Sequence, residues 1–516
     1  MLSHTLDRGA HLGLPLALVL GLMACTVGPN YEKPLIAAPD DWSSWRSGDP
    51  ALHAAPVRAE ALPARWWSVW NDPVLDDLEA RALTANPDLA SAALHFAQAR
   101  VQRAGAGAAG LPQVNLKGSV SRQRLSENGA STRLFDVIGT PAERDQMAQF
   151  LADPFTLYQG GFDAGWEPDL WGKVRRSLEA ADAQVTGQAA LLDLTRLSVA
   201  SEVARVYFRL RAVQTGIALT QQDLAIVTER EAIVAERVRG GLADHTTLEA
   251  EHSARETLNA ALPGLKANEA ALINALGVLT GEHPGALQAL MSNGTNTLSR
   301  MEPGIALGLP SQIALERPDV RAAEARLHAA TAEIGVAEAD LYPSITLGGG
   351  FNLESYKSEN LFDWGSRTWS IGPSLNLPLF DGGRRRSVVA LRKLEQREAA
   401  VEFQKTVLTA WQEIDDALNG YGAERTRWES LQARRASAER TLQIVQAQFE
   451  AGNANYLPVL DAQRAVIQAH RDIAESESAL RTDYIAINKA VGNVPPPAAT
   501  SDAGGDTGGK AAFSSD

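Results

Sequence analysis

The stretch Leu309–Leu353, LPSQIALERPDVRAAEARLHAATAEIGVAEADLYPSITLGGGFNL, sets out one structural unit in a fixed order. An Arg-Pro-Asp turn that begins at Arg317 opens it, and proline suits a first helical turn because its φ is already fixed. The Ala- and Glu-rich segment Val320–Asp340 predicts the helix that follows. Tyr342-Pro343 ends this helix, and the polar-apolar alternation after it predicts a strand.

The same order occurs once more, earlier in the chain. Asn86-Pro87-Asp88 opens a helix that is predicted to run to about Gly110, Leu111-Pro112 ends it, and Gln113–Leu116 begins a strand. Two copies of a unit this large indicate a duplication and not a solenoid. The sequence therefore predicts one fold with an internal two-fold repeat, built from residues 65–310 and 311–494.

Two proline-free stretches predict helices much longer than those of an ordinary globular domain. The first runs from Val174 to about Arg239, and the second begins near Arg385. Apolar residues recur every seven positions along the first, with Thr220 as the only polar step: Leu178, Val185, Leu192, Val199, Val206, Val213, Val227 and Val234. This is the pattern of a coiled coil, and at 1.5 Å per residue the helix would span roughly 100 Å. Glycine turns at Gly241 and Gly452 lead into returning helices, so the pattern suits a tube or a rod.

Four further segments alternate polar and apolar residues and predict strands, at residues 113–124, 157–167, 343–353 and 367–377. The polar segments Ser126–Thr156 and Glu354–Ser366 are expected to be the loops within each pair. Aromatic residues such as Phe351 and Trp369 suit a membrane interface. Four strands are too few to close a membrane barrel, and lipid does not tolerate open strand edges. The pattern therefore indicates an oligomer whose chains share one transmembrane β-barrel.

The first residues resemble a bacterial lipoprotein signal. The apolar run Leu12–Leu22 is too short to span a membrane, and Leu22–Cys25 resembles a lipobox. We therefore expect residues 1–24 to be removed and Cys25 to carry lipid, although an ordinary signal peptide with an incidental cysteine is the alternative. Residues 25–64 are expected to form a lipid-anchored linker. Residues 495–516, rich in Pro, Gly, Ala and Ser, are expected to be disordered.

Charge and motif content argue against two other classes of protein. The net charge of −14 argues against a nucleic-acid partner, which requires a basic surface. The glycines of Gly105–Gly110 match a dinucleotide fingerprint in letters, but they end a helix instead of opening one. We find no zinc-protease motif and no nucleophile elbow in the sequence, so we expect no enzyme, no cofactor and no metal site.

Three motifs carry a resemblance to a known family. The first is Glu316–Glu324, ERPDVRAAE, with Pro310-Ser311 before it and Tyr342-Pro343 after it. The second is Trp66-Trp67 followed by an Asp-Pro-Val-Leu segment, and the third is Leu460–Arg464, LDAQR. Over about residues 25–492, the chain resembles the outer-membrane factors of tripartite efflux systems. These are TolC-like proteins, and the similarity is to the lipoprotein branch called NodT-type.

The resemblance implies a mainly α fold with a transmembrane β part. Long coiled-coil helices would form an α-barrel, and four strands from each of three chains would form the β-barrel of a homotrimer. The implied function is the passive exit channel of a tripartite efflux pump of the resistance-nodulation-division type in a Gram-negative outer membrane. The implied partners are a periplasmic adaptor (a membrane fusion protein), an inner-membrane pump and outer-membrane lipid.

The resemblance also assigns a periplasmic gate. In the family, the segment after the second glycine turn narrows the tube with inward-pointing leucine and aspartate side chains. Matched to this sequence, the ring residues are Leu457 and Asp461, with Arg464 as a nearby charge partner. The spacings i,i+4 and i,i+3 allow each pair to share a helix face. A solvated Asp461–Arg464 pair with no gating role is the alternative.

Two other functions remain open on the sequence. One is the same channel serving a type I protein-secretion system. The other is a lipid-anchored periplasmic coiled-coil protein that does not conduct, against which the aromatic-bearing strand segments argue.

Overall fold

The computed structural model describes residues 26–35, 46–54, 57–58, 63–129, 140–292, 305–306, 313 and 316–497. Cys25, the predicted signal segment and residues 498–516 of the predicted tail lie outside these residues. Within the described ranges, no helix contains an apolar stretch long enough to cross a membrane.

Eight helices of more than one or two turns are described. They are α1 Pro73–Ala85, α2 Pro87–Ala108, α3 Pro141–Ala152, α4 Lys173–Arg239, α5 His245–Leu279, α6 Pro318–Ala339, α7 Arg384–Glu450 and α8 Leu457–Ala490. The short helical segments are Pro50–Ala54, Trp66–Trp70, Gln288–Ser292, Ser358–Asn360 and Trp364–Ser366. The main strands are β1 Gln113–Gln123, β2 Phe155–Trp166, β3 Ser344–Ser355 and β4 Arg367–Asn376. Val57–Arg58 and Ile305–Ala306 form a two-residue parallel pair.

The two long helices have the predicted length. Helices α4 and α7 contain 67 residues each, without an internal proline. Gly241 and Gly452, in the turns that follow them, have φ values of 69° and 75°. Glycine adopts this left-handed region at the least cost because it has no Cβ, which explains why both long helices end at glycine.

Strands β1 to β4 form one antiparallel sheet in sequence order. One row across it pairs Leu116, Phe162, Phe351 and Trp369. The neighbouring row on the opposite face contains Asn115, Asp163, Gly350 and Ser370. The four predicted strands are therefore confirmed. The alternation of polar and apolar residues along them gives the sheet one apolar face and one polar face.

The chain folds into two compact units, each assembled from separate stretches of sequence. Of the described residues, those within 1–32, 98–185 and 325–400 form the first unit, and those within 33–97, 186–324 and 401–516 form the second. In the first unit, α2 leads into β1, β2 leads into α4, α6 leads into β3, and β4 leads into α7. This order shows the internal repeat directly, because each half supplies the same helix-strand-strand-helix sequence.

The core of the second unit is built around the tryptophans that precede α1. Trp66, Trp67 and Trp70 are buried. The Trp70 ring lies 4.5 Å from the Phe208 ring and 5.3 Å from the Tyr484 ring, in edge-on geometry. Aromatic rings in this arrangement contribute more than their buried area alone. The tryptophan cluster thus holds α1, α4 and α8 together.

One element was not predicted. The segment 126–156 was expected to be a polar loop, yet it contains α3. The Glu143 carboxylate accepts a hydrogen bond from the Thr140 backbone N–H at 2.9 Å, which completes a capping box with Pro141 at the first helical position. The connection between β1 and β2 therefore contains a helix, and its start signal in the sequence is the Thr140–Glu143 capping box.

Helix α1 buries a carboxyl group that has no hydrogen-bond partner among the described residues. Glu79 is 1% exposed, and both of its carboxylate oxygens are unsatisfied there. Burial, together with the nearby charge of Asp76, raises the pKa of Glu79 well above its usual value. A group whose pKa is raised on folding takes up a proton when the chain folds, so it opposes folding at every pH above its unfolded pKa.

We expect Glu79→Gln to stabilise the protein at pH 7 but not at pH 4. Between the unfolded and folded pKa values, the wild type loses about 1.4 kcal/mol of unfolding free energy per pH unit, whereas glutamine does not titrate. Thermal unfolding midpoints measured from pH 4 to pH 8 test this expectation. The exposed Glu249→Gln on α5 is the control and should shift nothing. A gain that does not grow with pH would contradict the assignment.

Candidate functional site

The sheet of the first unit has one apolar and one polar face. The apolar face contains Val114, Leu116, Val120, Tyr158, Phe162, Trp166, Ile345, Leu347, Phe351, Leu353, Trp369, Ile371 and Leu375. The polar face contains Asn115, Lys117, Ser119, Gln159, Asp163, Thr346, Asn352, Glu354, Thr368, Ser370 and Ser374. An apolar face suits contact with lipid and a polar face suits contact with water, as in the wall of a membrane pore.

The polar face is organised by side-chain contacts between strands. Lys117 Nζ lies 2.9 Å from Asp163 Oδ1, and the Asn115 amide donates to Asp163 Oδ2 at 3.3 Å. One row away, Gln159 Nε2 donates to Glu354 Oε2 at 2.8 Å. Charged groups of both signs therefore share this face. Such a surface is suited to ions and polar solutes in water.

The sheet has two open edges. Within the described residues, β1 pairs only with β2, and β4 pairs only with β3. The helices joined to these edge strands each expose an apolar row with seven-residue spacing. On α2 the row contains Leu94 and Val101, and on α7 it contains Leu394, Val401 and Leu408. Each of these five side chains is more than half exposed in the single chain. Both edges therefore have an unpaired strand and an unpaired coiled-coil seam.

The predicted gate residues lie at the start of α8. Leu457 is the first residue of the helix and is half-buried, and its backbone N–H donates to Asn455 Oδ1 at 3.1 Å. Asp461, one turn further on, is exposed and forms an ion pair with Arg230 of α4. Arg230 also donates to Glu251 of α5 at 2.8 Å. Burial disfavours the charged form of Arg230, but the carboxylates of Glu251 and Asp461 raise its pKa.

The sequence analysis paired Arg464 with Asp461, but in the structure Arg464 pairs with a residue of another helix. Its Nε donates to Asp223 Oδ1 of α4 at 2.9 Å. Arg471, two turns further along α8, donates to the other oxygen of Asp223 and to Thr220 Oγ1, both at 3.3 Å. The expected partner was wrong because α8 lies against α4. A carboxylate that is 5% exposed competes better for Arg464 than an exposed residue on the same helix.

We call these six residues the tip cluster: Asp223, Arg230, Glu251, Asp461, Arg464 and Arg471. Four of them were not predicted, although the spacing carried a usable signal. Asp223 and Arg230 are seven apart on α4, and Arg464 and Arg471 are seven apart on α8. Opposite charges at matching heptad positions indicate that two helices pair. No group of three metal-ligating side chains with suitable geometry occurs among the described residues.

The sequence of this chain is similar to those of known outer-membrane proteins. Residues 78–281 and 309–493 match the family model described as outer membrane efflux protein. The chain is 31% identical to the outer membrane protein OprJ of Pseudomonas aeruginosa. This alignment covers 88% of this chain and 89% of OprJ. The chain is 27% identical to the cation efflux system protein CusC of Escherichia coli K12, over 93% of this chain and 98% of the relative.

The solved structures that resemble this chain are also outer-membrane channels. The CmeC outer membrane channel of Campylobacter jejuni superposes with a TM-score of 0.79 at 25% identity, covering 91% of this chain and 95% of that one. The outer-membrane channel OprN gives a TM-score of 0.78 at 26% identity, over 91% and 99% of the two chains. The match of both sequence halves and of the complete architecture shows that this chain belongs to the outer membrane efflux protein family.

Proposed function

We propose that the chain is the outer-membrane channel of a tripartite efflux pump of the resistance-nodulation-division type. The observation that carries this proposal is the amphipathic four-stranded sheet whose every strand joins a helix at the same end. In such a protein the sheet separates lipid from an aqueous lumen, and the helices extend the lumen into the periplasm. The substrates would be drugs or other small toxic compounds.

The channel would work passively. A periplasmic adaptor and an inner-membrane pump would supply the contact and the drive, and the chain itself would catalyse no reaction. Its part would be to offer a continuous polar surface, of which Lys117, Asp163 and Glu354 form one section.

Three copies would complete the channel. The open edges of β1 and β4 must be paired in lipid, where unsatisfied backbone groups are costly. A head-to-tail contact between β4 of one copy and β1 of the next would pair them and close a ring of twelve strands. The same contact would bring the apolar row of α7 against that of α2.

The periplasmic end would be closed by the tip cluster. In the proposed trimer, Leu457 and Asp461 would form rings around the threefold axis, and the pairs from Asp461 to Arg230 and from Arg464 to Asp223 would hold α8 against α4. The proposal keeps the predicted ring residues and replaces their charge partner. Cys25, carrying lipid, would anchor residues 25–64 to the same outer membrane.

Single-channel current recordings of the purified protein in planar bilayers test whether it forms a pore. We expect discrete conductance steps, because each assembled trimer would open one aqueous path. A control preparation that has been heated until the sheet unfolds should give no steps. Protein that is folded and inserted but never conducts would overturn the proposal and favour a lipid-anchored coiled-coil protein.

A further inference from the structure

The first described residues of the chain lie in a cradle formed by α4 and α6. Arg176 of α4 is 4% exposed, and its guanidinium donates to four acceptors. Nε donates to the Val27 carbonyl at 3.2 Å, and Nη2 donates to the Gly28 carbonyl at 3.1 Å and to Asn30 Oδ1 at 2.8 Å. Nη1 donates to Glu179 Oε2 at 2.8 Å. Three of the four acceptors thus belong to one short peptide near the N-terminus.

The remaining groups of the cradle support this contact. His328 of α6 stacks on Tyr31, with ring centroids 4.1 Å apart and planes at 15°. Its Nε2 lies 3.0 Å from Glu179 Oε1, the oxygen that Arg176 does not use. Burial opposes ionisation of Glu179, but the hydrogen bonds from Arg176 and His328 lower its pKa below the usual value. The guanidinium therefore has a charged counter-ion within the cradle.

A glycine in the interior of α6 makes room for the peptide. A Cβ added at Gly335 would lie 2.7 Å from Arg176 Cγ and 2.9 Å from the Val27 carbonyl oxygen. Gly28, with φ of 90°, approaches so closely that a Cβ there would overlap the Cα atom of Gly335. Glycine weakens a helix interior relative to alanine. Its presence at Gly335 is explained by the close approach of the two backbones.

The peptide also contacts the end of the sheet. The Val27 N–H donates to the Trp171 carbonyl at 3.1 Å, and a Cβ added at Gly172 would lie 2.6 Å from Thr26 Cγ2. Trp171 in turn donates from its indole to the Pro343 carbonyl at 2.7 Å, directly before β3. The cradle therefore holds the peptide at the junction of sheet and helices within the first unit.

We propose that Arg176, Glu179, His328 and Gly335 form an intramolecular binding site for the peptide Val27–Tyr31. The site accepts an extended peptide through two backbone carbonyls, one amide side chain and one aromatic ring. It fixes the segment that follows the proposed lipid anchor to the end of the sheet, and in that role it rests on the proposed lipidation of Cys25. Arg176 is its central positioning residue, because a buried guanidinium is stable only when its donors are satisfied.

Hydrogen exchange of the full-length protein in detergent tests the site. We expect the Val27 amide, which donates to the Trp171 carbonyl, to be protected in the wild type and to exchange about 10-fold faster or more in Arg176→Gln, because the segment then opens locally. Gly335→Ala should have the same effect without any change of charge. Arg175→Gln is the matched control, since Arg175 lies on the same helical turn but its guanidinium bonds Asp169.

A double variant on the peptide side and mass spectrometry of the N-terminal peptide separate the binding site from misfolding and from lipidation. If Arg176→Gln does not fold, the double variant Asn30→Ala and Tyr31→Ala removes the same contacts from the peptide side, and the same increase is expected. Unchanged exchange in Gly335→Ala and in the peptide variant would overturn the site. Mass spectrometry of the N-terminal peptide reports lipid on Cys25 separately, so the absence of lipid would refute the anchor without affecting the exchange result.

Discussion

Replacing Val401 with aspartate is expected to convert the proposed trimer into single chains and to abolish conductance. Val401 is 64% exposed in the single chain and occupies the middle of the apolar row on α7, between Leu394 and Leu408. In the proposed ring this row packs on Leu94 and Val101 of α2 from the next copy. An unpaired carboxylate placed in that seam costs at least about 2 kcal/mol at each contact, and a three-membered ring contains the contact three times.

Native mass spectrometry of detergent-solubilised protein measures this effect. The wild type is expected to appear as three chains, and Val401→Asp as one. Val401→Ile keeps the apolar seam and is the matched control, which should remain a trimer. Leu94→Asp, on the opposite side of the proposed contact, should reproduce the loss. A three-chain species of Val401→Asp that still conducts would show that the copies meet through another surface.

The elements that could be predicted from sequence are those with a long, regular period. The seven-residue repeat from Leu178 to Val234 predicted nearly the whole of the 67-residue helix α4, because a seam of that length is typical of a coiled coil. Alternation predicted β1 to β4, because a sheet between lipid and water must change polarity at every residue. The repeat of turn, helix and strand in the two halves predicted their order. The first two signals are local and recur many times along one element, whereas the third occurs twice, once in each half.

The parts that could not be predicted depend on which distant groups come together. Arg464 was assigned to Asp461 from the family resemblance, and the i,i+3 spacing on one helix supported that assignment. Its true partner, Asp223, becomes available only when α8 packs against α4. No sequence pattern points to Arg176, because its role depends on backbone carbonyl groups of Val27 and Gly28, which carry no sequence signal. Glu79 occupies a position in the apolar row of α1 that would suit leucine, and no pattern explains its burial there.

Replacing Asp223 with asparagine is expected to open the periplasmic end and raise the resting conductance several-fold. Asp223 accepts hydrogen bonds from two guanidinium groups, those of Arg464 and Arg471, and its own side chain is almost fully buried. The Arg464 and Arg471 side chains are 35% and 22% exposed, so the loss of their shared counter-ion costs less than the about 3–5 kcal/mol typical of a fully buried pair. The two arginines of α8 would then repel one another beside α4. Helix α8 should move away from α4 and widen the proposed ring at Leu457 and Asp461.

Conductance at fixed voltage in planar bilayers, compared between variants of equal assembly, measures the opening. Glu236→Gln is the matched control, because it removes one negative charge from the same helix α4 at an exposed ion pair with Arg239. A charge exchange that combines Asp223→Arg with Arg464→Asp and Arg471→Asp should restore part of the low resting conductance, since it rebuilds attraction between the two helices. If Asp223→Asn conducts no more than Glu236→Gln, the contact between α4 and α8 does not hold the channel closed, and the constriction must be sought away from the tip cluster.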